Sequence, residues 1–411
     1  MSATAQQLRQ RLGSLSRGAY HPTPRPPVEH RLPAGFETVA TPLGEAWKRS
    51  EVVPAGRERG RDPELRYGYL DLETTGLSGG TGTYAFAAAL ARRTDAGVEL
   101  VQFFLPEPAR EPGFLHALAE EIARCPAIAT YNGSRFDLPL LRTRWVMARM
   151  GGDFEHPPHV DLLSLTRALF GQRLASCALR NVEERVLGFE REEDVSGALL
   201  PNAYFEYIRR GWSPLLEAAL EHNRQDVESL HHLHLRLESR LHGEDVHMEA
   251  LDWLALGRHL GKKGRRAAGW RALRQAAEMA QDEASATAAL LLAKRLTGKG
   301  RAASAERLLA WIDERVTAQA ALAVARARLL EWRLRDPAAA LDVVERALEG
   351  SAPVGRLADD LFRRRSRLSR RVVRSRQPDR DGAFVDEDPE DFDQVRVERA
   401  LQLSLDPGQS L

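Results

Sequence analysis

Two carboxylates, Asp71 and Glu73, stand two residues apart in the stretch Tyr69-Leu70-Asp71-Leu72-Glu73-Thr74-Thr75-Gly76, whose other members are apolar or β-prone up to the closing glycine. Successive side chains of a strand alternate between its faces, so both carboxylates leave the same face. Like charges side by side repel, and burial adds the cost of stripping their water. A divalent cation is the simplest compensation. The competing reading, two solvated charges on an edge strand, sits poorly with apolar flanks where an edge strand carries Lys or Pro.

Further along, Tyr131-Asn132-Gly133-Ser134-Arg135-Phe136-Asp137 takes an apolar strand through a polar turn into a helix with Asp137 in its first turns. Sheet ends commonly build sites at such junctions, although Asp137 would favour a helix N-terminus on electrostatic grounds alone. His222 and Asp226 stand four apart in Glu221-His222-Asn223-Arg224-Gln225-Asp226 and so share one face of a long helix. The plainer reading is an exposed pair worth about 0.3–0.5 kcal/mol. His231, His232 and His234 lack acidic or thiol partners at ligand spacing and read as packing or surface residues. Ser78-Gly79-Gly80-Thr81-Gly82-Thr83 has neither the Lys-Ser/Thr ending of a phosphate loop nor dinucleotide spacing. It is expected to be a flexible connection beside the carboxylates.

The elements that must position these groups follow from periodicity. The opening strand, with further strands expected over 84–90 and 98–105, makes an antiparallel meander. Residues 36 to 66 are dominated by turn formers and are expected to be irregular or to hold one hairpin. An amphipathic helix over 111–124 buries Phe114, Leu115, Leu118 and Ile122, and a short strand follows over 127–131. Helices over 161–170, 178–187, 203–210 and 214–241 complete an α/β region with a mixed sheet. Beyond Glu244 the chain turns rich in Ala, Leu and Arg. Leu256-Gly257, Leu260, Gly264 and Ala267 recur as Leu292-Ala293, Leu296, Gly300 and Ala303 at an offset of 36 residues, with a weaker third copy at Leu329, Trp332, Asp336 and Ala339. That period resembles tetratricopeptide-type helical hairpins.

A chain of 411 residues has room for two or three domains. The expected division is a flexible Pro-rich arm over 1–35, an α/β domain over 36–243, helical repeats over 244–360 and a tail over 361–411. The 59 basic and 58 acidic residues nearly cancel, so affinity for a polyanion must come from local patches. One candidate is the tail, where Arg363, Arg364, Arg365, Arg367, Arg370, Arg371, Arg374 and Arg376 precede an acidic block from Asp379 to Asp393. The basic block can contact phosphates or pair with its acidic neighbour. Cys125 and Cys177 lack zinc or disulfide spacing and read as small core residues. The N-terminus has no apolar core of signal-peptide length, and no run of about 18 apolar residues occurs, so a cytoplasmic protein without a membrane partner is expected.

Asp71-x-Glu73, Asn132-x-x-x-Phe136-Asp137 and His222-x-x-x-Asp226, in this order, resemble the three motifs of the DEDD exonuclease superfamily of the ribonuclease-H-like fold. The resemblance covers roughly residues 67 to 241, and its combination with helical repeats is similar to the bacterial YprB-like proteins. It implies an α/β ribonuclease-H-like domain followed by an all-α, tetratricopeptide-like domain. It implies that Asp71, Glu73, Asp137 and Asp226 hold two Mg²⁺ or Mn²⁺ ions and that His222 orients or deprotonates the attacking water. The activity implied is 3′–5′ exonucleolytic cleavage of single-stranded DNA or RNA, with Thr74, Asn132 and Arg135 against the substrate and a protein partner on the repeats. Two ions about 3.5–4 Å apart would activate water and stabilise the leaving 3′ oxygen, and hard oxygen donors favour Mg²⁺ or Mn²⁺ over zinc. One departure stands out. Histidine in the last motif of this superfamily usually lies five residues before the aspartate, and here it takes the tyrosine spacing of four. A catalytically silent member serving as a binding platform is the rival reading, and four converging charges argue against it.

Overall fold

The computed structural model describes residues 28–54, 66–76, 81–191, 199–316, 320–350 and 355–375. Residues 1–27 of the Pro-rich arm, 78–80 of the glycine-rich stretch and the tail from 376 onward lie outside them. The chain divides into two compact units, residues 1–322 and 323–411.

The first unit is built on a seven-stranded mixed sheet of order β1-β2-β5-β4-β3-β6-β7. Its strands are β1 (Glu37–Thr41), β2 (Gly44–Val53), β3 (Tyr67–Thr74), β4 (Ala85–Thr94), β5 (Gly97–Phe104), β6 (Ala127–Thr130) and β7 (His159–Asp161). The expected meander is β3-β4-β5, and β6 joins β3 in parallel. The segment read as irregular or a single hairpin is the hairpin β1-β2, and β2 also pairs along β5, so it extends the main sheet. The three-residue β7, parallel to β6, has too few residues to show a period of two.

Alternation along β3 sends Leu70 and Leu72 to one face and Tyr69 to the other. The first face is covered by α1 (Glu111–Ala123), with Phe114, Leu115, Leu118 and Ile122 buried as their spacing predicts, and by Leu138 and Leu141 of α2 (Asp137–Met147). The second face is covered by α3 (Leu162–Phe170) and by the long α6 (Leu216–His242). Between them in sequence come α4 (Leu179–Val182), a π-helical turn over Glu183–Leu187, and α5 (Leu200–Arg210). Strand β4 places Ala89 and Ala91 in the core shared with α6, and Ala87 packs with Ala219 and Leu220 at the start of that helix. His231 and His234 are buried packing residues edge-on to Tyr69, and the Tyr69 hydroxyl lies 3.2 Å from His234 Nδ1. Cys125 is buried as expected, whereas Cys177 is only partly so, and both are free.

Four further helices of this unit, α7 (Ala250–Lys262), α8 (Arg266–Met279), α9 (Glu283–Gly298) and α10 (Ala302–Asp313), pack each on the next. The first crossing is close because Gly257 faces Gly269; a Cβ on Gly257 would lie 3.0 Å from the Gly269 carbonyl oxygen. Met248, Leu256, Leu260 and Ala272 share the core of α3 and α6, so these helices are continuous with the α/β layer.

Helix α11 (Ala320–Arg328) runs into the second unit, which continues through a π-helical turn over Leu329–Arg333, α12 (Pro337–Gly350) and α13 (Arg356–Ser375). At its centre the Glu331 carboxylate, with no solvent exposure, accepts from Arg364 Nη1 at 3.2 Å and from Arg367 Nη2 at 2.7 Å. Among the described residues, no helix is long and apolar enough to cross a membrane.

Candidate active site

Asp71 lies opposite Ala89 and Glu73 opposite Ala87 in the β3-β4 ladder, so small neighbours leave their side chains room beneath α6. A register shift between Glu73 and Thr74 ends the regular pairing there. Asp71 is held from above: its Oδ2 accepts from Asn223 Nδ2 at 2.8 Å, and the same amide reaches the Asp71 carbonyl oxygen at 3.2 Å. Asn223 is fully buried, and its Oδ1 accepts from Gln102 Nε2 at 3.3 Å. Gln102 also donates to the Leu220 carbonyl at 2.8 Å and accepts from Arg49 Nε at 3.2 Å. A buried polar chain therefore runs from β2 through β5 and α6 to the carboxylate on β3, with its donors matched to acceptors.

Helix α6 brings His222 and Asp226 to the same place, as the four-residue spacing requires. His222 Nε2 lies 4.0 Å from Glu73 Oε1 and 3.8 Å from Asp226 Oδ2. Asp226 Oδ1 accepts from Arg191 Nη2. Arg191 Nη1 lies 3.1 Å from His222 Nδ1, and Glu183 grips the same guanidinium with Oε2 on Nε at 2.9 Å and Oε1 on Nη2 at 2.6 Å.

Asp137 opens α2 behind a turn that fits only one way. Asn132 takes a left-handed backbone, φ 67°, which asparagine tolerates. Its amide donates to Asp161 Oδ1 at 2.9 Å, and Ser134 donates its amide to Oδ2 at 3.3 Å. Asp161 also caps α3 by accepting from the Leu163 amide at 3.1 Å. A Cβ on Gly133 would lie 2.3 Å from Thr130 Oγ1 and 2.7 Å from Asp137 Oδ2, so glycine is required where this turn passes the carboxylate. Thr74, predicted against the substrate, turns its hydroxyl back to the Gly76 carbonyl at 3.0 Å. Arg135 and Phe136 are exposed on the turn beside Asp137.

The four acids feel one another. Burial, followed by the charges of Asp226 and Asp137, holds the Asp71 carboxyl well above the usual carboxylate range, against the lowering by Asn223 and Arg191. Burial and then Asp71, Asp226 and Asp137 raise Glu73 in the same way. Asp137 is pushed up to about 7 by burial, then by Asp161 and Asp226. Burial also raises Asp226, with His222 and Arg191 opposing. The structure thus brings Asp71, Glu73, Asp137, His222 and Asp226 into one electrostatic neighbourhood. The sequence reading missed Asn223, Gln102, Arg191, Glu183 and Asp161.

Acids forced together at this cost are stabilised by a cation, and an all-carboxylate donor set suits a hard divalent ion. The residues therefore fit Mg²⁺ or Mn²⁺ by chemistry. Among the described residues no group of three or more His, Cys, Asp or Glu side chains is arranged so that it could hold a metal ion, so the fit is one of donor chemistry alone.

Residues 68–238 match the model of the RNase_H superfamily. The α/β region has a ribonuclease-H-like fold, followed by a largely helical region. A curated relative, "Uncharacterized protein YprB" of Bacillus subtilis (strain 168), is 33% identical over 192 residues, which are 44% of this chain and 45% of the relative. The chain therefore spans less than half the length of that relative. Among solved structures, the family B DNA polymerase of the hyperthermophilic archaeon Pyrobaculum calidifontis is similar at 20% identity and a TM-score of 0.34, over 51% of this chain and 31% of the polymerase chain.

Proposed function

We propose that the ribonuclease-H-like domain is a metal-dependent nuclease, a 3′–5′ exonuclease of DEDD type acting on single-stranded DNA or RNA. The observation that carries the reading is the convergence of four raised carboxylates, Glu73 and Asp137 buried and Asp71 and Asp226 partly so, drawn from a strand, a strand-to-helix turn and a late helix. A domain that only bound a partner would gain nothing from that electrostatic cost.

Asp71, Glu73, Asp137 and Asp226 would hold two Mg²⁺ or Mn²⁺ ions. Bound there, such ions supply an acidified water and positive charge for the leaving oxygen. Asn223 fixes the Asp71 carboxylate from the helix side. His222, bordering Glu73 and Asp226, orients the attacking water. Arg135 offers a phosphate contact, and Phe136, half exposed beside Asp137, offers a ring on which a terminal base can stack. Thr74, next to Glu73, and Asn132, on the turn before Asp137, are further candidates for substrate contact. The packed helices from Ala250 to Asp313, read as tetratricopeptide-like, supply a surface for a protein partner or for the outgoing strand.

The test is cleavage of single-stranded DNA and RNA labelled at either end, with Mn²⁺ or chelator. Release of labelled mononucleotide from 3′-labelled strands, lost in Asp71→Asn, is expected. Absence of metal-dependent cleavage of both polymers would overturn the reading.

A further inference from the structure

Resting on that reading, we propose that Glu183 and Arg191 form a positioning pair that decides which nitrogen of His222 carries its hydrogen and which oxygen of Asp226 faces the site. A guanidinium has five N–H donors and no acceptor. At 3.1 Å Arg191 Nη1 therefore donates to His222 Nδ1, which must present its lone pair. The hydrogen of the neutral ring then sits on Nε2, the nitrogen 4.0 Å from Glu73 Oε1 and 3.8 Å from Asp226 Oδ2. His222 thus faces the carboxylates as a hydrogen-bond donor. In that form it would hold a water by donating to it, with no lone pair on Nε2 to take the water's proton.

The same guanidinium occupies Asp226 Oδ1 and leaves Oδ2 turned toward His222 Nε2. Its aim is fixed from behind. Glu183, at the head of the π-helical turn, holds two edges of the guanidinium, and both side chains are almost wholly buried, at 1% and 4% exposure. Arg191 thus adds direction to the site beside the positive charge that Asp71, Glu73 and Asp226 feel.

The experiment uses the full chain with ¹⁵N-labelled imidazoles, at a pH above the imidazole range and without metal. Long-range ¹H–¹⁵N correlations are recorded, with His222 assigned by the signal lost in His222→Asn. The wild type is expected to show the Nε2–H pattern. The double variant Glu183→Gln with Arg191→Met, which removes both buried charges together, is expected to give a mixture of tautomers, and Arg191→Lys to keep the wild-type pattern. Calorimetric titration with Mn²⁺ reads the second half. The double variant should bind about 10- to 100-fold more weakly, the usual effect of losing an outer-shell partner, with partial recovery in Arg191→Lys. A wild-type Nδ1–H pattern, or an Nε2–H pattern that survives in the double variant, overturns the assignment for His222. Unchanged or tighter Mn²⁺ binding by the double variant overturns it for Asp226. Failure of the wild type to bind Mn²⁺ at all would instead remove the nuclease reading, while the tautomer result is read without metal.

Discussion

Asn223 Nδ2 donates to Asp71 Oδ2 at 2.8 Å across 152 positions of sequence, tying the helix that carries His222 and Asp226 to the strand that carries Asp71 and Glu73. Asn223→Leu leaves the buried Asp71 oxygen without this donor and removes one of two acceptors of the Gln102 amide, so a loss of about 1–3 kcal/mol in urea unfolding is expected. Because Asp71 is then free to rotate, Mn²⁺-dependent cleavage should fall about 10- to 100-fold. Unaltered cleavage in a variant shown to be destabilised would mean that the amide serves the fold alone.

The raised carboxylates set the sign of the pH dependence. The folded state holds these protons more tightly than the unfolded chain, so the stability they contribute is fully present below about pH 4, the unfolded carboxylate value. It is lost as pH rises through the folded values, which for Asp137 means through about 7. In chelator, Tm should therefore drop over this window, and the drop should be shallower in Asp137→Asn. Mn²⁺ should restore Tm more strongly at the upper end, where the ligands are deprotonated. A metal-free Tm in the wild type that falls no more steeply than in Asp137→Asn would contradict the burial of these charges.

Gly133→Ala places a methyl 2.7 Å from Asp137 Oδ2 and 2.3 Å from Thr130 Oγ1. Overpacking of this kind costs about 1–3 kcal/mol, and here it also displaces a carboxylate. Cleavage should collapse while far-UV circular dichroism keeps its shape. Wild-type Mn²⁺ affinity in this variant would show that Asp137 takes no part in holding the ion.

In the second unit, Glu331→Ala leaves the buried Arg364 and its neighbour Arg367 without their shared acceptor. Breaking such a pair from one side costs about 3–5 kcal/mol, less here because Arg367 is half exposed. Amide hydrogen exchange should speed up in α13 and stay unchanged in β3 and α6. Equal acceleration throughout the chain would argue that the two units unfold as one.

Much of the site was legible because it obeys short periods. The period of two put Asp71 and Glu73 on one face, the four-residue step put His222 and Asp226 on another, and the strand-turn-helix pattern found Asp137. Arg191 and Glu183 were not legible. Their relation to Asp226 depends on a π-helical turn and an irregular stretch, neither of which has a periodic signature, and they lie outside every motif. Asn223 stood in plain view beside His222, but nothing local marks an amide whose partner lies on a distant strand. The fold was read well where amphipathic spacing was long, as in α1, and poorly at β7, whose three residues owe their conformation to the neighbouring β6.

Strand β4 contributes no functional group, yet its methyls behave as a shim. Ala87 and Ala89 lie across from Glu73 and Asp71, and with Ala91 they fill the gap between sheet and helix with the thinnest side chains that still exclude water. A β-branched residue at Ala89 would prop α6 outward and draw His222 and Asp226 away from their partners with every acid and base intact. The spacing of the candidate site is thus machined into a strand that supplies none of its acids or bases.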